Sequence, residues 1–339
     1  MPLSPILGVV PLRAFQLGKE TTFKTAVAAT RRLGWAATPT VNPNWTNPTA
    51  DTGTLDQAIA PYGTALDVTI ATTGQLASND APTIISAGIM GGLTLPAAGS
   101  AFTAAPASTS QDVFDTYSGE CFDDAVADAW QFSGGVINDF TFEYPQDQGP
   151  INLTANWRFA KIAAYPATPT AGLTTDTNPV YLYCADTQFY VNDTGGAIGT
   201  TQLVDQVYGA TFAVNNNLDP KRFANGTNSR FEIQNYGRGK RVVDFSFTLA
   251  KATAAIAEAV KWIAASPTER YAEMRTTSTV TAGAGNKHSL SIRIPGFWFT
   301  RADAAINSNS GFTLAGQNVY DVGLGYPFRV SSVSARTTL

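Results

Sequence analysis

Charge is scarce in this 339-residue chain. Only 14% of its residues are Asp, Glu, Lys or Arg. A freely diffusing enzyme ordinarily carries more surface charge, so much of this surface is expected to be covered by other protein. With 22 basic against 26 acidic residues the net charge is −4, which excludes a global basic field for gripping nucleic acid. There is one histidine, His288, so any histidine-based triad must use it. Two cysteines, Cys121 and Cys184, lie far apart and fit no zinc or redox spacing; buried thiols are expected, with a single disulfide the alternative. No run of eighteen apolar residues is present to span a bilayer, and the first eleven residues have no basic leader or cleavage pattern. No phosphate loop or dinucleotide fingerprint occurs, so neither a cofactor nor a metal is expected.

Present instead are Gly, Ala, Thr, Ser and Asn, and long stretches of period two. Ile151, Leu153, Ala155, Trp157 and Phe159 alternate with Asn152, Thr154, Asn156 and Arg158; Phe140, Phe142 and Tyr144 alternate with Thr141 and Glu143. Such alternation marks strands with one buried and one wet face. Pro145–Pro150 joins them as a hairpin loop. The wet face, with Asp139, Thr141, Glu143, Asn152, Thr154 and Asn156, is short, polar and neutral to acidic. A ribbon this long is also expected to offer its edges for self-association. One strong helix is expected at 251–265, with Ala252, Ile256, Ala259, Val260 and Ile263 as an inward apolar stripe and Glu258 and Lys261 outside. Pro267 ends it. A shorter helix is expected from Pro82 toward Met90, and the segment from Arg270 is read as a strand. The fold class is mainly β with minor α+β character: a sandwich or partial barrel with one flanking helix. One domain over 1–339 is expected, with loop insertions near 36–62, 95–111 and 163–179.

Several constellations point to chemistry and lose to plainer readings. Asp51-Thr52-Gly53 and Asp193-Thr194-Gly195 suggest the paired carboxylates of an aspartic protease. Neither follows an apolar strand, however, and Asp-Thr-Gly is a good turn sequence. Glu120, Asp123, Asp124 and Asp128 lack the Gly and terminal Glu of a calcium loop, and a solvated edge is expected. The basic residues Arg230, Arg238, Lys240 and Arg241, with Lys221 and Arg222 nearby, suit a contact between subunits, DNA phosphates or a solvated loop. No catalytic residue is assigned.

One phrase is more specific. Gly18, Glu20, Thr21, Thr22, Phe23, Thr25 and Ala26 follow a G-x-E-T-T-[FY]-G-T-A pattern, with Lys24 where the pattern has Gly. Asn192–Thr201 adds an Asp/Gly turn and Ile198-Gly199-Thr200-Thr201. In these phrases and their order the chain resembles the major tail tube proteins of long-tailed, siphovirus-like bacteriophages of the actinophage type. That resemblance implies a structural virion protein of the tail, made in the bacterial cytoplasm. It implies rings of six copies stacked into a hollow tube, which conducts double-stranded DNA during ejection. Its implied partners are further copies, the tape measure, the tail terminator and the baseplate. The 139–156 polar face would then look into the bore and the 230–241 patch would lie at subunit contacts. A capsid-decorating or tail-accessory protein is the alternative reading.

Overall fold

The computed structural model describes residues 13–46, 62–63, 65–106, 113–123, 126–173, 175–176, 178–223, 232–306 and 309–339. The expected β-rich architecture is present, as an extended antiparallel sheet that does not close into a barrel. Its backbone is one run of strands. Ala36–Asn42 pairs with Asp67–Gln75, then come Asn152–Phe159, Val126–Tyr144, Val207–Asn215, Val242–Ala250, Asn309–Asn318, Asn286–Ile306, Arg270–Gly283 and Thr187–Asn192. Two strands are far longer than the rest, and each serves two partners in turn. Val126–Tyr144 pairs through its first part with Tyr117–Asp123 and Lys161–Ala167, and through its second with Asn152–Phe159 and Val207–Asn215. Asn286–Ile306 pairs first with Arg270–Gly283 and Arg329–Val333, then with Asn309–Asn318.

Where the first long strand changes partners it bends at Gly134, whose φ of +70° favours glycine. A Cβ there would sit 2.6 Å from the Cβ of Ala160. The bend folds the smaller group of strands onto the main sheet: Phe15 and Tyr117 meet Trp157 edge-on at ring distances of 5.9 and 6.0 Å. At the other end Phe189, in Thr187–Asn192, reaches Tyr144 and Phe247 at 5.7 and 5.6 Å. The inward halves of the alternating strands therefore make one aromatic core.

The central hairpin forms as its alternation predicts, and the helix Ala81–Gly88 appears where Pro82 begins it. The expectation that this hairpin offers free edges is overturned. Asn152–Phe159 is flanked by Asp67–Gln75 and the long strand, which is itself flanked by Val207–Asn215. The sheet run ends elsewhere. Among the described residues Ala36–Asn42, at one end, pairs only with Asp67–Gln75, and Thr187–Asn192, at the other, pairs along its length with Arg270–Gly283; within the run, the stretch of Asn286–Ile306 beyond Gly296 pairs only with Asn309–Asn318. Residues 36–42, expected as loop, are thus a terminal strand. Their Thr and Val favour β structure, and Pro39 is tolerated because an edge position can spare a donor. Within 95–111, Ala101–Ala104 is a strand paired with Arg329–Val333. Within 163–179, Thr170 is held by buried Glu120: its N–H and Oγ1 donate to the carboxylate at 2.8 and 2.7 Å. Glu120 is therefore no solvated edge; Asp124 lies outside the described residues.

Thr253–Trp262 is helical as expected, but its rotation is not the expected one. Ala255, Glu258 and Ala259 face the sheet, while Ile256 and Val260 face outward and Ile263 follows them. Small residues at 255 and 259 let the helix lie close to the sheet. Glu258 is drawn inward by Arg270, the buried first residue of the next strand, which donates from Nε and Nη2 at 2.8 and 2.7 Å. At 3.6 residues per turn, seating 255, 258 and 262 inward leaves 256, 260 and 263 outside.

His288 is buried, and its Nδ1 lies against the Ser78 hydroxyl. Burial lowers its pKa below 6.5. As the pH falls through that value an unfolded chain binds a proton that the folded chain refuses, so this contribution is complete above pH 6.5 and declines below it. Denaturant midpoints are expected to decline more steeply between pH 7 and 5 for the parent than for a His288→Asn variant; parallel profiles would refute this.

Candidate functional site: the polar face of the sheet

Because side chains alternate, the wet residues of adjacent strands fall into rows. Asn152 stands opposite Glu143, Thr154 opposite Thr141, and Asn156 opposite Asp139. The six residues singled out in the sequence are therefore three cross-strand pairs of one patch. Rows extend from it in both directions: Thr154 meets Thr73 on one flank, and Thr141 meets Ala213 on the other. Next come Asp244 opposite Ala213 and Gln317 opposite Asp244. The result is a broad face of Thr, Asn, Ala and Ser, bounded at its two ends by the free strand edges. Thr73, Glu143, Thr154, Asn156, Asn215, Asp244 and Gln317 are exposed on it.

The charge on this face is small and mostly negative. Asp139 accepts from the side-chain amides of Asn138 and Asn156. Arg158 shares the face, but its Nη1 donates to the Leu218 carbonyl at 3.0 Å, which turns it toward the neighbouring loop. Neutral short side chains offer no recurrent anchor for a polyanion, and the carboxylates repel one.

The basic residues do not form a free cluster. Arg241 donates to Asn216 Oδ1 at 2.8 Å and to the Ile89 carbonyl at 2.9 Å, and its guanidinium lies over Phe114 and Phe328. Arg238 stacks on Phe114, Arg222 pairs with Asp67 at 2.7 Å, and Lys221 pairs with Asp219. Lys240 is exposed, and Arg230 lies outside the described residues. Proximity in sequence could not reveal these partners, which come from distant strands.

The Asp-Thr-Gly reading fares no better. Asp51 lies outside the described residues. Asp193 is exposed and bonded to Lys261 and Arg270, which hold its carboxyl below the usual range. Cys121 and Cys184 are buried and no disulfide joins them; burial pushes the Cys184 thiol up to about 12. Among the described residues no cluster of His, Cys, Asp and Glu could hold a metal ion, and no helix is long and apolar enough to cross a membrane.

The sequence phrase around Glu20 proves to be a structural joint. The Glu20 carboxylate is buried and accepts from Ser118 Oγ, Gly134 N, Lys24 N and Thr116 Oγ1 at 2.9, 2.8, 3.1 and 2.9 Å. Lys24, where the pattern has Gly, keeps the turn by adopting φ +66° itself, and its ammonium reaches Glu232 at 2.9 Å.

A wide, polar, nearly uncharged face on a large antiparallel sheet that does not close into a barrel is the geometry of a β-rich structural protein. The comparison with known families agrees: residues 12–325 match the family described as phage tail tube protein, and the chain belongs to that family. The family is a structural one, whose members build a tube in the virion tail. No curated protein matches the chain in sequence.

Proposed function

We propose that copies of this chain form rings that stack into the tail tube, and that the polar face lines a bore through which double-stranded DNA passes during ejection. Each copy acts as one unit, six copies make a ring, and the tape measure, tail terminator and baseplate meet the tube from within or at its ends. The observation that carries this reading is the sheet face itself. It is continuous across consecutive strands, short-chained and neutral to acidic, as a conduit for a sliding polyanion requires. A basic lining would release counterions at every phosphate contact and hold the duplex, most strongly at low salt. The Arg238, Lys240 and Arg241 region is assigned to contacts outside the bore.

Thr154→Lys is the sharpest test. Thr154 is exposed, and its cross-strand neighbours Thr73 and Thr141 are uncharged. Lysine at 152 or 156 would instead stand opposite Glu143 or Asp139 and be partly neutralised. Tubes of parental diameter are expected, with DNA release slowed several-fold at low salt and recovering as salt is raised. Thr154→Glu should release at the parental rate. Parental release by the lysine variant at low salt would end the bore assignment. An absence of tubes from the parent would favour the decoration or accessory reading.

A further inference from the structure

The outward stripe of the helix Thr253–Trp262 is the feature the fold itself does not explain. Ile256, Val260 and Ile263 are 48%, 56% and 65% exposed, and Phe299 is 56% exposed. The helix and Phe299 are neighbours: Trp262 Nε1 donates to the Phe299 carbonyl at 3.0 Å, tying the helix end to the strand Asn286–Ile306. An apolar patch of this kind on a chain so rich in short polar side chains marks an interaction surface. Its position narrows the partner. Phe299 lies in the portion of the strand beyond Gly296, whose outer side has no strand partner among the described residues. The stripe therefore flanks a stretch of strand edge left unpaired within the sheet.

The Ala36–Asn42 end of the sheet carries a counterpart. Next to Ala36–Asn42 runs Asp67–Gln75, and Asp67 is bonded to Arg222, with Phe223 beside it at 58% exposure. One unpaired edge thus presents a helix stripe beside a strand, and the edge at Ala36–Asn42 a strand and an exposed aromatic. Surfaces that differ, placed at two separate unpaired edges of one sheet, make a head-to-tail contact, which closes into a ring when the rotation between copies allows.

We infer that the Ile256–Val260–Ile263 stripe, with Phe299, is the surface on which the next copy of this chain docks, bringing the Ala36–Asn42 end of its own sheet. This rests on the tail-tube reading for the need of a repeated neighbour, and adds which surface meets it. Covering the stripe removes from water the largest apolar side chains that folding leaves outside on this helix. The adjoining strand edge supplies direction, since backbone pairing fixes how one copy sits on the next.

The test compares the full-length chain with Val260→Asp, Ile263→Asp and the double variant, by sedimentation velocity over a concentration series and by negative-stain microscopy. All these side chains are exposed, so unchanged circular dichroism and melting temperature are expected. A carboxylate buried in an apolar contact should raise the concentration needed for assembly by at least roughly a hundredfold. As an independent readout, the thiol of a Val260→Cys variant should react with a maleimide in dissociated subunits and be protected in assemblies. Parent tubes with soluble, folded monomers from the double variant support the inference. Double-variant tubes at parental concentrations overturn it and leave the tail-tube reading standing. Parental oligomers that are not tubes, abolished by the same substitutions, support the docking surface while removing the tail-tube reading. A parent that stays monomeric at every concentration, or a Val260→Cys thiol that reacts equally well in assemblies, overturns the inference.

Discussion

Replacing Glu258 with Ala should cost the subunit about 3–5 kcal/mol, the range for stripping one partner from a buried ion pair. The guanidinium of Arg270 is buried and donates to both oxygens of Glu258 in a fork, at 2.8 and 2.7 Å. Lys261 and the Trp298 indole also donate to that carboxylate, at 3.1 and 3.4 Å. With the carboxylate gone, Arg270 keeps only Asp193, whose side chain is 68% exposed and well screened. Glu258→Gln should cost less, since one acceptor oxygen remains. Asp193→Asn should cost no more than about 1 kcal/mol, the scale of exposed pairs. Replacing the pair together, as Glu258→Leu with Arg270→Met, should recover most of the loss. Denaturant midpoints of dissociated subunits give these differences directly. A loss below about 1 kcal/mol for Glu258→Ala would mean that the helix is held by its small-residue contacts alone. The pair also sets the helix's rotation, so the alanine variant should lose order at 253–262 before the sheet melts, visible as faster amide exchange there.

What the sequence disclosed and what it hid divide along physical lines. Period-two alternation is a local property, so the central hairpin and the row of Asp139, Thr141, Glu143, Asn152, Thr154 and Asn156 were legible: once the strands pair, those side chains must share a face. Partnership between distant segments is not local. Nothing near Asn152–Phe159 indicates that Asp67–Gln75 covers its other side, or that Ala36–Asn42 rather than the hairpin supplies an edge. The helix shows the same limit differently. Its apolar stripe was visible, but apolar residues in an assembling subunit serve two interiors, that of the fold and that of the assembly. Only the Glu258–Arg270 pair, twelve positions apart across a turn, decides which face looks in. Likewise the basic run at 238–241 reads as a patch in sequence, while in space Arg241 is spent on Asn216, Ile89 and two aromatic rings. The Glu20 phrase was recognisable as a pattern, yet its purpose lies in residues about a hundred positions away.

That purpose leads to the second large effect: Glu20→Ala should destabilise the subunit by about 4 kcal/mol. Two of the four donors to its carboxylate are backbone N–H groups, those of Lys24 and Gly134. Two more are the hydroxyls of Ser118 and Thr116, which can turn to other acceptors. Alanine leaves the two N–H groups without acceptors, at about 1–3 kcal/mol each, and also removes charge-assisted bonds. The location amplifies this. Gly134 is the bend at which the strand Val126–Tyr144 passes from one group of partners to the other, and Lys24 holds the left-handed turn beside it. Loosening the bend weakens the joint between the two groups of strands that this strand connects. Glu20→Gln preserves the shape, but it loses the negative charge and turns an NH2 toward one set of donors, for a loss of about 2 kcal/mol. Because the joint is internal to the subunit, the loss should appear in dissociated chains by denaturant unfolding. An alanine variant that unfolds like the parent yet fails to build tubes would place the role of Glu20 in assembly, and would overturn the account of the phrase as a structural joint.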